Sequence, residues 1–149
     1  MSTFPIAPAT SRYIWFLIPA LILLIGAAVL LVASVRGAHA STFEVGPDGL
    51  RLRGDLWGRL IPRAELRVDL ARRVDLTQEE GLRPKSRRMG TALPGYQAGW
   101  FRLRNGEKAL LYLTDRTRAV YVPTTAGYVL LLSPVDPDGF LSRLRGETP

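Results

Sequence analysis

The chain of 149 residues contains no cysteine, one histidine and only two lysines. Without thiols there can be no disulfide, no thiolate metal site and no cysteine nucleophile. The single His39 has Glu44 as its nearest carboxylate in sequence, across an expected strand start. A metal site or a general base needs closer partners than that. Asp115, Asp136 and Asp138 fall at expected turns and a helix start, where local backbone hydrogen bonds account for them. The glycines from Gly90 to Gly99 match neither a dinucleotide-binding nor a P-loop fingerprint, because the strand, helix and lysine context is missing. The expectation is therefore a non-enzymatic chain with no catalytic residue, no metal and no cofactor.

Charge is also missing from one long stretch. Tyr13 to Val35 runs for twenty-three residues without a charge. About 20 apolar residues at 1.5 Å rise span a hydrocarbon core of roughly 30 Å. A buried soluble helix of that length would need a polar stripe or a large surrounding core, which the remaining residues are too few to build. Pro19 and Gly26 lie inside the stretch, and membrane helices tolerate both. Tyr13 and Trp15, with Phe16, form an aromatic cluster at one end, and Arg36 closes the other, as expected of membrane-interface residues. Ala38-His39-Ala40 has the small-x-small form of a signal-peptidase site. The apolar run is longer than the roughly 7 to 15 residues of a signal peptide's core, which favours a retained anchor. Arg36 is the only Arg or Lys in the fifteen residues after Val35, against Arg12 and the amino terminus on the other side. The positive-inside rule then favours a cytoplasmic C-terminal domain.

The expected organisation is an N-terminal tail (1–12), a transmembrane helix (13–35), a linker (36–41) and one domain (42–146). The 18 arginines set a net charge of +7, a bias that a GC-rich genome produces without selection for any ligand. What charge alone predicts is attraction to anionic surfaces, lipid headgroups first.

Beyond the linker the hydrophobic period is two. Phe43 and Val45 alternate with polar neighbours, Gly46-Pro47-Asp48-Gly49 supplies a turn, and Leu50-Arg51-Leu52-Arg53 alternates again. Leu56 to Ile61 is an expected third strand closed by Pro62. Leu66 to Leu76 alternates most cleanly, with Arg72 breaking the apolar parity at a bulge, a strand end or a snorkelling side chain. Strands are expected again at 99–104, 108–114, 119–122 and 128–132, with Asn105-Gly106 as a hairpin turn. Asp136 as N-cap, Pro137 at N1, Val135 and Phe140 as a hydrophobic staple and Gly146 as C′ mark a short terminal helix. The fold class is mainly β: an N-terminal transmembrane helix, then a barrel of about seven antiparallel strands capped by a C-terminal helix.

The segment Gly90 to Leu141, and above all Leu132-Ser-Pro-Val-Asp-Pro-Asp-Gly-Phe-Leu141, resembles the bacterial pleckstrin-homology (PH) domain families, and Val45 to Pro62 is similar to the first half of that domain. The resemblance implies the fold and says little of function. Members are often joined to transmembrane helices. Phosphoinositide-binding relatives place several cations on the first two strands and their loop. Here that loop is Gly46-Pro47-Asp48-Gly49, so the property is not carried over.

The remaining candidate lies in Thr77 to Ala98, read as a long irregular loop, because such loops in compact domains are functional or disordered. It holds Arg83, Lys85, Arg87 and Arg88, each worth about 1 kcal/mol beside an anionic membrane. Tyr96 and Trp100 suit core packing better than base stacking, so no nucleic acid is expected as a partner. The leading expectation is a membrane-anchored protein-interaction scaffold, with an unknown protein partner or self-association through exposed strand edges. The alternative is direct binding of anionic lipid or another anionic ligand by the 83–88 cluster.

Overall fold

The computed structural model describes residues 14–54 and 56–147. By its contacts the chain divides between Arg36 and Gly37 into two compact units.

The first unit belongs to one helix, α1 (Ile14–Ala40). Its described side chains are exposed throughout, and Ile14–Ala33 is long and apolar enough to cross a membrane. Pro19 sits in the second turn and leaves the Trp15 carbonyl without its i→i−4 donor. The helix continues to Ala40, through most of the expected linker.

In the second unit, β1 (Thr42–Gly46) and β2 (Gly49–Arg53) form a hairpin over Pro47-Asp48, and β3 (Leu60–Pro62) pairs with β2. Leu50 and Leu52 are buried while Arg51 and Arg53 face solvent, as the alternation predicts. The third strand is shorter than expected. Leu56 is 94% exposed, and only Leu60 to Pro62 joins the ladder.

The larger sheet contains β4 (Arg72–Val74), β5 (Pro84–Leu93), β6 (Tyr96–Leu103), β7 (Lys108–Leu113), β8 (Ala119–Pro123) and β9 (Val129–Leu132). Its order is β4-β8-β9-β7-β6-β5. Strand β9 returns from its hairpin with β8 and inserts beside β7, so that pair is parallel. The fold is therefore two open sheets of nine strands among the described residues, and the closed, all-antiparallel barrel of seven is corrected. Local alternation fixes which residues face inward but not which strands become neighbours.

Two further expectations change. Leu66 to Leu76 is not one strand: Leu66 makes an isolated bridge to Thr124, Val68–Leu70 forms a 3-10 turn, and only β4 is extended. The backbone N–H of Arg67 donates to the Pro123 carbonyl at 2.9 Å, and the turn that follows leaves Leu70 in solvent while Ala71 is buried. The expected loop 77–98 contains a 3-10 turn (Glu80–Leu82), all of β5 and the start of β6. Its exposed first half, Pro-Lys-Ser-Arg-Arg, has no apolar period, which is how an edge strand looks like a loop in sequence.

The large sheet buries both faces. Leu110, Tyr112, Val120, Leu130 and Leu132 face the small sheet and α2 (Pro137–Arg145). Phe101, Leu103, Leu111, Leu113 and Leu131 face the other way, against Leu76 and Leu82. Helix α2 begins as predicted, with the Gly139 N–H donating to Asp136 Oδ1 at 3.0 Å and Gly146 left-handed at its end. The staple does not form. Val135 is 95% exposed, and its carbonyl instead accepts from Arg118 at 3.0 Å.

Strands β5 and β6 touch most closely where Gly90 pairs with Gly99, both at positive φ. A Cβ on Gly99 would lie 2.5 Å from the Gly90 Cα. Gly99→Ala is expected to destabilise the domain by at least about 2 kcal/mol, since neither backbone can yield without breaking the ladder. Chemical denaturation measures it, and a loss below about half that value contradicts the assigned register.

Candidate functional site

Trp15 and Arg36 are both exposed on α1, twenty-one positions apart. At 1.5 Å per residue that is roughly 31 Å, close to the thickness of a hydrocarbon core. Tyr13 lies outside the described residues.

The four cations of the 83–88 cluster separate into two kinds. Arg83 is bound within the protein: its Nε donates to the Leu76 carbonyl at 2.6 Å, a terminal nitrogen donates to the Thr77 carbonyl, and the other lies 3.4 Å from Glu80 Oε1. It fastens the segment that covers the second face of the large sheet. Lys85, Arg87 and Arg88 are exposed on β5, and none of their side chains makes an ion pair or hydrogen bond among the described residues. The β5–β6 register skips at Lys85 and again at Arg88, so these two are bulge residues. A bulge turns its side chain away from the regular alternation.

Arg88 thereby lines a cleft of about 400 Å³ with Met89, Trp100, Phe101, Arg102 and Lys108. Trp100 is the aromatic wall. Lys108 Nζ sits 4.4 Å from the Trp100 ring centroid, the Arg59 guanidinium carbon 5.1 Å, and Tyr128 meets the ring edge-to-face at 5.0 Å. These cation–π contacts hold the two charges near the cleft without neutralising them. Arg102 and Lys108 are direct cross-strand partners on β6 and β7. Like charges placed opposite each other are destabilising. Arg102 also donates to the Gly106 carbonyl at 2.7 Å, which bridges the turn between β6 and β7.

Sequence reasoning named Arg88 and missed Arg59, Met89, Arg102 and Lys108. The signal for two of them was available, since a turn at Asn105-Gly106 places Arg102 and Lys108 on neighbouring strands. Arg59 and Met89 reach the cleft only through tertiary packing.

The other charged groups hold the fold. Arg72 makes a two-pronged pair with Glu79 at 2.8 and 2.6 Å and lies 5.6 Å from the Tyr121 ring centroid. Its hydrogen bond holds the Glu79 carboxyl below the usual range. Tyr121 is pushed up, first by burial and then by donating to Glu107 at 3.1 Å. Asp75 and Asp115 each accept from the hydroxyl and backbone N–H of a threonine two residues on, Thr77 and Thr117, and the hydroxyl bonds lead in depressing both carboxyls. Asp138 pairs with Arg73 at 3.2 Å. Among the described residues no three His, Cys, Asp or Glu side chains gather to hold a metal.

The sequence profile of the bacterial PH domain matches residues 67–148, more than half of the chain. The chain belongs to the bacterial PH domain family. Comparison with curated proteins and with solved structures returned no match. The matched part of the PH domain begins just before β4 and includes α2, Arg88, Trp100, Arg102 and Lys108. The first hairpin and Arg59 lie outside it.

Arg83→Gln is expected to cost about 1–2 kcal/mol of stability, through the hydrogen bonds lost from a charged donor. Denaturation of the variant against Arg87→Gln checks it: equal effects would remove the distinction between the two arginines. The depressed carboxyls of Glu79, Asp75 and Asp115 also set the acid limb. A folded-state value below the unfolded one stabilises fully above the unfolded value, and this contribution is lost as pH falls through the folded value. Stability is expected to be level above about pH 5 and to fall below about pH 4. Glu79→Gln makes that fall shallower, and an unchanged slope would count against the Arg72 pair as a contributor.

Proposed function

We propose that this chain is a single-pass membrane protein that presents its PH domain at the cytoplasmic surface of the bacterial membrane as a non-enzymatic docking module for another protein. The observation that carries this reading is α1: Ile14–Ala33 exposes apolar side chains along its whole length, and β1 begins only two residues after the helix ends. Such a surface is stable when an apolar phase surrounds it. Family membership supports binding over catalysis.

Strand β5 is one edge of the large sheet, but its features oppose pairing with a second copy. Pro84 opens it, bulges interrupt it at Lys85 and Arg88, and the edge is cationic along its first half. These are the devices by which edges avoid self-pairing. A heterologous partner therefore fits better than self-association through that strand.

Contact with anionic lipid is the second reading, favoured by Lys85, Arg87 and Arg88 standing exposed and without partners among the described residues. Arg83 is not part of it.

A C-terminal reporter fusion, carbonate extraction and cross-linking in cells test the leading reading together. The expected result is a carbonate-resistant chain whose reporter is active only in the cytoplasm and which cross-links to a second protein species. Carbonate release would remove the anchor, an external reporter would reverse the orientation, and a strictly monomeric, uncross-linked chain would remove the docking role.

A further inference from the structure

We infer that the cleft between β5, β6 and β7 is a binding site for an organic phosphate, with Arg88, Arg102 and Lys108 taking the phosphate oxygens and Met89 and Trp100 packing against the organic part. The site stands on its own geometry and does not require α1 to cross a membrane.

Among the described residues three cations line this cavity and no carboxylate does. Arg59 adds a fourth charge at the Trp100 ring. Some arginines elsewhere in this domain stand against acids, Arg53 with Glu44, Arg67 with Asp69, Arg72 with Glu79, Arg73 with Asp138 and Arg104 with Glu80, and others such as Arg51 and Arg143 do not among the described residues. Arg59, Arg88, Arg102 and Lys108 have no such pair among the described residues. The nearest acid in sequence, Glu107, instead accepts from Tyr121 at 3.1 Å and Asn105 at 2.6 Å. The Arg102–Lys108 repulsion is relieved when an anion sits between the two chains' ends, and charge-assisted bonds to phosphate are among the strong ones.

Size and polarity narrow the ligand. A volume of about 400 Å³ falls within the range of small-molecule sites, larger than an inorganic anion fills. Met89 is 60% exposed beside the cations, a flexible apolar side chain available to an organic group. The match is to a phosphate ester, whether a soluble one or the headgroup of an anionic lipid.

The full chain in neutral detergent micelles is titrated with glycerol 3-phosphate at constant ionic strength. The Trp100 indole N–H resonance, assigned with Trp100→Phe, is the readout. A second arm replaces the ester by phosphatidylglycerol doped into the micelles, with phosphatidylcholine as the comparison. Saturable movement of that resonance supports the site: with the soluble ester it identifies a free phosphate ester, and with phosphatidylglycerol alone it identifies a lipid headgroup. Affinity is expected to weaken about tenfold in Lys108→Gln and in Arg88→Gln, and to stay within about twofold in the control pair Arg73→Gln with Arg143→Gln, on β4 at the other edge of the sheet and on α2. Arg88→Gln leaves the β6–β7 turn untouched, so it reports binding even where a turn variant folds poorly. No saturable movement with either probe, or equal weakening in the control pair, would overturn the site.

Discussion

The domain depends on a six-stranded sheet that must be dry on both faces. Ala109 to Leu113 and Val129 to Leu132 are buried at every position, so the central strands have no wet side. The small sheet and α2 cover one face. The other is closed by the segment from Leu76 to Leu82, which has no regular ladder of its own. Its apolar contribution is small, so polar fastenings hold it: Arg83 takes two of its carbonyls, Arg72 grips Glu79, and Asp75 caps the turn at Thr77. Hydrogen bonds to charged donors are stronger than neutral ones, which suits a cover with few buried side chains. Arginine usage here is thus partly a structural requirement.

That division sets Arg83 apart from Lys85, Arg87 and Arg88. Four charges within six residues look equivalent in sequence. In three dimensions Arg83 turns inward to the cover, while the bulges at Lys85 and Arg88 redirect the rest of β5. Arg88 then joins residues more than ten positions away, on strands whose register is fixed by the β6–β7 hairpin.

The legible parts of the fold were those decided locally. The first hairpin, the Asn105-Gly106 turn, the N-cap at Asp136 and the left-handed Gly146 depend on a few adjacent residues and occur where expected. The illegible parts were decided by neighbours distant in sequence. The insertion of β9 between β7 and β8 makes a parallel pair that no alternation announces, although Val-Leu-Leu-Leu, apolar on both parities, does mark a strand buried on two faces. Strand β5 escaped for the opposite reason. It packs on one neighbour only, and an edge strand with exposed residues needs no apolar period. Leu66 to Leu76 misled because Leu70 belongs to a 3-10 turn, where i and i+3 rather than i and i+2 share a face.

The same reasoning separates two uses of positive charge on this domain. A cation held by an acid or by several carbonyls lowers the energy of the fold and offers little to a ligand, because binding would first have to break those contacts. Arg72 and Arg83 are of this kind, whereas Arg102 gives one terminal nitrogen to the Gly106 carbonyl and keeps its other donors. A cation held over an aromatic ring keeps its full charge and most of its donors. Lys108 and Arg59 at Trp100 are of that second kind. Placing them beside Arg88 and Arg102 raises the local potential, and the fold tolerates this where solvent screens it at the mouth of the cleft. An anion entering there gains from preorganised donors and displaces no acid among the described residues, so the cation repulsion that costs the fold stability is what favours binding.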